Sequence, residues 1–144
     1  VLFGDDLIVP ENATAQLIEA YESQKGSIIA LEEIEPEMST SYGIIKPAEP
    51  DSDGPLYKIE DLVEKPAPED APSNLGVIGK YICTPEIFAA LHDAEASVGG
   101  EIRLIDGFKK LLSSQSLHGL KSTGKRYDTG TLNGYRKAIN DLRS

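Results

Sequence analysis

VLFGDDLIVPENATAQLIEAYESQKGSIIAL, residues 1–31, decides the fold class. Val1-Leu2-Phe3 is an apolar, strand-like run that reaches a turn at Gly4-Asp5-Asp6. Pro10 and Asn12 can open a helix in which Ala13, Leu17, Ile18, Ala20 and Tyr21 recur at spacings of three and four, and Gly26 ends it. Ser27-Ile28-Ile29-Ala30-Leu31 then reads as a buried strand. Strand, helix and strand in this length have the size of a right-handed βαβ crossover, which predicts a mostly parallel sheet. Asp5 and Asp6 then stand at the C-terminal edge of its first strand. A strand as apolar as Val1-Leu2-Phe3 is normally covered and paired on both sides. Nothing precedes it here, so the sequence reads as a piece of a larger unit.

Downstream, Tyr42-Gly43-Ile44-Ile45-Lys46 and Leu56 to Glu64 flank a Pro- and Asp-rich turn and predict a hairpin. Lys65 to Pro72 carries three prolines and predicts a surface loop. Leu75 to Cys83 predicts a strand, and Thr84-Pro85 a helix start with Thr84 as N-cap and Pro85 at the first helical position, running to about His92. Ile102, Leu104, Ile105, Phe108, Leu111 and Leu112 form the apolar stripe of a second helix. Ser116 to Ser122 predicts a strand, Gly124 to Thr129 a loop, and Leu132 to Leu142 a terminal helix. No repeat or low-complexity segment interrupts this pattern, and 144 residues suit a single α/β domain.

The net charge of −10 excludes a general nucleic-acid phosphate binder. It is unevenly spread: residues 1–102 hold 21 acids and 5 bases, and residues 103–144 hold 3 acids and 9 bases. The basic last third reads as a solvated surface, a contact for the acidic part, or a groove for an anionic substrate. Cys83 is the only cysteine, which rules out an intrachain disulfide or a Cys cluster for zinc and fits a reducing cytoplasm. No apolar run approaches the roughly 20 residues of a membrane span, and the start is no signal peptide.

Several residues can carry chemistry. Asp5 and Asp6 read either as solvated turn acids or as hard-oxygen ligands for Mg²⁺ beyond a strand end. Asp128, in Tyr127-Asp128-Thr129-Gly130, reads as a helix cap or a second such ligand. In Glu64-Lys65-Pro66 the proline should hold Lys65 extended, pointing the Glu and the Lys to opposite sides, and the pair reads as a surface ion pair or as a clamp for hydroxyls and a phosphate. Gly43 precedes a strand, and Gly76 and Gly79 inside one mark a pocket wall or a bulge. Gly99-Gly100-Glu101 precedes a helix, where Glu101 opposes anion binding. His92, His118 and Cys83 have no catalytic partners at recognisable spacing and read as structural.

Taken in order, Gly4-Asp5-Asp6, Ser41-Tyr42-Gly43-Ile44-Ile45, Asp61-Leu62-Val63-Glu64-Lys65-Pro66, Ala71-Pro72-Ser73-Asn74-Leu75, Gly79-Lys80-Tyr81-Ile82, Thr84-Pro85-Glu86-Ile87-Phe88, Gly99-Gly100-Glu101-Ile102 and Gly124-Lys125-Arg126-Tyr127-Asp128-Thr129-Gly130 resemble the bacterial UTP:glucose-1-phosphate uridylyltransferases. The resemblance covers essentially the whole chain. It implies a Rossmann-like, mostly parallel sheet that is incomplete at its N-terminus, residues 1–144 being the C-terminal portion of a catalytic domain. It implies Mg²⁺-dependent formation of UDP-glucose and pyrophosphate from UTP and glucose 1-phosphate, by direct attack of the sugar phosphate on the α-phosphate. By motif, Asp5 and Asp128 would be Mg²⁺ ligands. Glu64 would accept hydrogen bonds from glucose hydroxyls, Lys65 would pair with the sugar phosphate, and Gly43 and Val77 would lie against the sugar.

Two departures stand beside the resemblance. The family's Gly-rich nucleotide loop has no counterpart before Val1, which predicts little or no activity for these residues alone. Arg103 and Ile105 replace the family's usual Gln and Thr, which puts polar contacts from those positions in question. Alternatives are a sister transferase using dTTP or another sugar 1-phosphate, and a non-catalytic sugar-phosphate-binding or assembly module. An unpaired first strand suits a homo-oligomer. The basic residues Lys125 and Arg126 beside Asp128 read as a phosphate-facing patch.

Overall fold

The computed structural model describes residues 1–49, 54–95 and 100–143. In chain order these form β1 (Asp6–Val9), α1 (Ala13–Gln24), β2 (Ile28–Glu33), β3 (Gly43–Pro47), β4 (Leu56–Glu64), β5 (Leu75–Ile82), α2 (Ile87–His92), α3 (Leu104–Leu111), β6 (His118–Lys121), β7 (Lys125–Asp128) and α4 (Leu132–Leu142). Short 3₁₀ turns lie at Pro36–Ser41 and Pro68–Asp70. Among the described residues no helix is long and apolar enough to cross a membrane.

The α/β class holds, but the mostly parallel sheet does not. Five strands close on themselves in the order β2-β5-β3-β4-β6, with β6 returning to β2. Within this barrel only β2 and β6 run parallel; β2/β5, β3/β4, β3/β5 and β4/β6 are antiparallel. β1 and β7 form a separate antiparallel ribbon, pairing Asp6 with Asp128 and Val9 with Lys125. A helix between two strands permits a parallel pair without requiring one, and here the strands on either side of α1 enter different sheets. Val1-Leu2-Phe3 is no full strand either. It runs along β5, with Phe3 N–H donating to the Gly79 carbonyl at 2.7 Å and Tyr81 N–H to that of Val1 at 2.9 Å. The Gly124 to Thr129 segment, expected as a loop, contains β7.

β2 explains how the barrel is filled. Its alternate residues face opposite ways, Ile29 and Leu31 toward the barrel core with Ile45, Leu62, Leu75, Tyr81 and Phe108, and Ile28 and Ala30 toward α1 with Leu17, Ile78 and Leu120. A strand apolar on both faces needs cover on both faces, and the interior residues and α1 supply it. Burying one Leu or Ile contributes roughly 1.5–3 kcal/mol, and Leu17, Ile28, Ile29 and Leu31 are all at most 1% exposed.

The helix ends follow capping chemistry with local exceptions. The Asn12 side chain accepts from Ala15 N–H and Thr131 Oγ1 from Gly134 N–H, starting α1 and α4 where the sequence predicts. α1 ends at Gln24, two residues before its expected glycine, with Lys25 capping it at φ 57°. α2 starts at Ile87 and not at Pro85, because Thr84 is drawn elsewhere: its N–H donates to Ser27 Oγ and its hydroxyl to Gln115 Oε1. At α3 the Asp106 carboxylate accepts the Arg103 N–H at 2.8 Å. Gly99 lies outside the described residues, as do residues 50–53 of the turn between β3 and β4.

Candidate active site

The β3/β4 hairpin builds one wall of a cleft of about 370 Å³. Gly43, Glu64, Lys65 and Val77, expected together from sequence, all line it, with Tyr42, Tyr81, Arg103 and Ile105. Register puts Gly43 opposite Glu64. A Cβ on Gly43 would come within 2.3 Å of Ile105 Cδ1 and 3.2 Å of Glu64 Oε2, so a side chain there displaces the cleft wall. Val77 is half-buried and reaches the cleft from β5, where it faces Leu31 of β2.

Glu64 and Lys65 are held differently. The Glu64 side chain is 11% exposed and its Oε1 accepts from Arg103 Nη1 at 3.3 Å. Arg103, the departure whose contact was in question, thus makes one, to the residue expected to meet the sugar hydroxyls. Lys65 corrects the sequence reading: its φ is +47°, a left-handed conformation and not the extended one that a following proline favours. Such a residue costs about 1–3 kcal/mol and persists only where its surroundings over-determine it. Here Lys65 N–H donates to the Tyr42 carbonyl at 3.0 Å, and the next carbonyl, of buried Pro66, accepts from buried Ser39 Oγ at 2.9 Å. Two anchors on either side of the bend hold it. Among the described residues the exposed Lys65 enters no ion pair.

Asp5 and Asp128 converge at the end of the β1/β7 ribbon. Asp5 Oδ2 and Asp128 Oδ1 lie 2.8 and 3.2 Å from the point where a Cβ on Gly130 would sit. The Asp5 carbonyl accepts Thr129 N–H at 2.7 Å and Asp128 Oδ1 accepts Gly130 N–H at 3.0 Å, which fixes both turns. Residues 5 and 128 thus meet despite lying at opposite ends of the sequence. Among the described residues, no group of three or more His, Cys, Asp or Glu converges as metal ligands do. The acids are a pair.

Asp6 is not a second solvated acid. It is 8% exposed, its Oδ2 accepts Gly79 N–H at 2.7 Å, and its Oδ1 accepts from Arg126 Nε. Arg126 Nη1 also donates to Glu32 Oε2 at 2.8 Å and to the Tyr42 hydroxyl at 3.0 Å, and its guanidinium lies 5.5 Å from the Tyr42 ring centre. Burial works against the Arg126 charge, but the Tyr42 hydroxyl and Asp6 outweigh it, and its pKa is raised. The phosphate-facing patch expected from Lys125 and Arg126 is therefore engaged within the protein, since Lys125 Nζ pairs with Asp141 Oδ2 at 2.5 Å. Tyr81, between Phe3 and Phe108, has its hydroxyl pKa pushed up by burial first and then by Asp6, and it stays neutral.

The network of Asp6, Glu32, Tyr42 and Arg126 is what sequence reasoning missed. Lys125-Arg126-Tyr127-Asp128, three charges and one apolar residue, gives no strand signal that would have found it.

Known proteins of similar sequence match nearly the whole of this chain. The family model for nucleotidyl transferases matches residues 1–144. A UTP–glucose-1-phosphate uridylyltransferase of Streptococcus pneumoniae is 42% identical over 98% of this chain and 48% of its own length. One from Pseudomonas aeruginosa is 38% identical over 97% of this chain and 50% of its own. A crystal structure of UDP-glucose pyrophosphorylase complexed with UDP-glucose superposes with a TM-score of 0.90 at 36% identity, covering 98% of this chain and 54% of the other. The chain thus spans about half the length of the relatives it matches. With the family match running from Val1 to Ser144, the chain belongs to the nucleotidyl transferase family.

Proposed function

We propose that the protein carrying this chain is a UTP:glucose-1-phosphate uridylyltransferase, forming UDP-glucose and pyrophosphate, and that these residues supply its sugar-phosphate cleft and its metal carboxylates. The observation that carries this reading is the convergence of Gly43, Glu64, Lys65 and Val77 on one cleft. The names and lengths of the relatives support it.

On this reading the sugar lies in the cleft lined by Gly43 and Val77. The Glu64 carboxylate accepts from sugar hydroxyls while Arg103 holds it in place. Lys65, displayed by its left-handed bend, neutralises the phosphate that attacks. No protein nucleophile is needed, because the sugar phosphate is itself the nucleophile and the chain positions it and balances its charge.

Mg²⁺ belongs to the same reading, and the residues fit it: two carboxylate oxygens converge, and this ion commonly takes one or two carboxylates, with substrate phosphates and water completing the shell. Asp5 and Asp128 would hold it. When bound, the ion offsets phosphate repulsion and the charge that develops on the leaving pyrophosphate. The Rossmann-like sheet belongs to this reading only for a longer protein that supplies further parallel strands. A homo-oligomer is part of it too, and light scattering tests that.

Pyrophosphate release from UTP and glucose 1-phosphate by the intact protein with Mg²⁺ tests the activity. Turnover that falls on the order of a hundredfold in Lys65→Met is expected. Absence of turnover, with glucose 1-phosphate still bound in calorimetry, would instead identify a non-catalytic sugar-phosphate module.

A further inference from the structure

Asp5 and Asp128 sit on a ribbon of two four-residue strands, and a two-stranded ribbon is marginal on its own. Its position relative to the cleft must come from what ties it to the barrel. Beyond the backbone contacts of residues 1–3 with β5 and the packing of Ile8 against the cluster of Ile28, Ala30 and Ile78, the hydrogen-bonded side-chain ties run through two residues. Asp6 crosses to β5, where its carboxylate takes the Gly79 N–H; a Cβ on Gly79 would lie 2.5 Å from Asp6 Oδ2, so the approach is close. Arg126 crosses to β2 and to the residue before β3, donating to Glu32 and Tyr42. The two join one another through Arg126 Nε and Asp6 Oδ1.

We propose that Arg126 is a positioning residue that sets where the Asp5/Asp128 carboxylate pair stands relative to the sugar-phosphate cleft. The path is short and continuous. Asp6 neighbours Asp5 and faces Asp128 across the ribbon. Arg126 grips Asp6 with one edge of its guanidinium and Tyr42 with Nη1. Tyr42 lines the cleft, and its carbonyl holds the Lys65 N–H at the left-handed bend. One planar fork therefore spans the element that carries the acids and the element that carries the phosphate-binding lysine.

The chemistry requires arginine. A lysine ammonium keeps the charge but is a single point, unable to reach a carboxylate on the ribbon, a carboxylate on β2 and a hydroxyl before β3 from fixed directions. Burial of the side chain, 11% exposed against 7% for Asp6, also argues for placement and not only for stability. A buried ion pair is often no more stabilising than apolar residues of the same volume, so the geometry it fixes is the reason to look for.

This inference rests on the metal reading given above, and the test separates the two. The intact protein is titrated with Mn²⁺ as the metal probe, followed by electron paramagnetic resonance, in wild type, Arg126→Lys, Glu32→Gln, Tyr42→Phe and Asp128→Asn. Asp128→Asn should abolish Mn²⁺ binding; if it does not, the metal reading itself is wrong and the inference falls with it. With Asp128→Asn behaving as expected, Arg126→Lys should raise the Mn²⁺ dissociation constant about tenfold in a folded protein. Glu32→Gln and Tyr42→Phe should each raise it about threefold. A folded Arg126→Lys protein with wild-type Mn²⁺ affinity overturns the proposal. Should that variant fail to fold, wild-type affinity in both Glu32→Gln and Tyr42→Phe overturns it equally. A role confined to stability would lower the melting temperature and leave the metal affinity of the folded protein unchanged.

Discussion

Gly43 and Glu64 face each other across a hairpin whose neighbours Ile44, Ile45 and Leu62 are at most 1% exposed, whereas Asp5 precedes β1 and Asp128 ends β7 on a ribbon of two four-residue strands, tied to the barrel by an ion network beside the packing of Ile8. The cleft takes its shape from close packing, which transmits small volume changes directly. The ribbon's polar ties form a hydrogen-bonded ion network, in which losing one buried partner costs about 3–5 kcal/mol. One site is thus sensitive to the size of a side chain and the other to its charge and donor geometry.

The largest effect should come from charge at the ribbon. Asp128→Asn keeps the shape of the side chain and removes its charge. Turnover is expected to fall on the order of a thousandfold, more than the 10–100-fold typical of residues that only support metal ligands. Glucose 1-phosphate binding, read by calorimetry, should stay within about twofold, since the cleft does not depend on Asp128. A large loss of sugar-phosphate affinity would break the separation between the two regions.

The reciprocal change tests size at the cleft. Gly43→Ala puts a methyl group 2.3 Å from Ile105 Cδ1, and the side chain of Ile105 must swing away or the hairpin must shift. The KM for glucose 1-phosphate should rise about tenfold with Mn²⁺ affinity unchanged, equivalent to about 1.4 kcal/mol. Ile105→Val removes that Cδ1 atom, so the double variant should recover much of the loss. Additive losses in the double variant would show that the alanine acts by another route.

Arg103→Gln ranks next. It removes a partner of Glu64 that is 28% exposed, and such pairs are worth about 0.2–1 kcal/mol, so a KM rise of two- to fivefold is expected. Asp106 still caps α3 through the backbone N–H of residue 103, and the melting temperature should barely move. A drop in stability with no change in KM would place Arg103 in the helix cap and not in the cleft.

The same division explains what the sequence disclosed. The cleft's hairpin was legible because its parts are local: two strands with their turn, a glycine at a strand start, and Glu64-Lys65-Pro66 at a strand end, while the sugar-phosphate roles of Gly43, Glu64, Lys65 and Val77 came through the resemblance. The convergence of Asp5 with Asp128 was legible only through the resemblance. The ribbon was not, because Arg126 and Asp6 are 120 residues apart and periodicity carries no information on such a pair. β7 has four residues, three of them charged, and looks like a loop until its partner strand is known. The parallel sheet failed for the same reason, since helix length constrains the distance between strands and not their pairing. Lys65 failed differently: the local rule for a residue before proline was sound, and tertiary bonds from Tyr42 and Ser39 overrode it.

The smallest effect should come from the barrel wall away from both regions. His118, on β6 opposite Lys58, borders a second cavity with Tyr57 and Glu49, and its Nδ1 is buried without a partner. Burial, and then the Lys58 charge, lower its pKa below the ordinary 6.5. The folded state therefore prefers the neutral imidazole. Its contribution is fully present above pH 6.5 and is lost as pH falls from there through the lowered folded value, because the unfolded chain takes up the proton first. Gln at this position cannot titrate. Between pH 7 and pH 5 the melting temperature of wild type should fall about 1–2 °C further than that of His118→Gln, as suits a partly solvated group. In the folded protein at pH 7, His118→Gln should leave Mn²⁺ affinity and the KM for glucose 1-phosphate unchanged, because neither the packed cleft nor the ion network reaches β6 at His118. A change in either would mean that the barrel wall couples to the two regions, and that size and charge are not sensed as separately as the contacts imply.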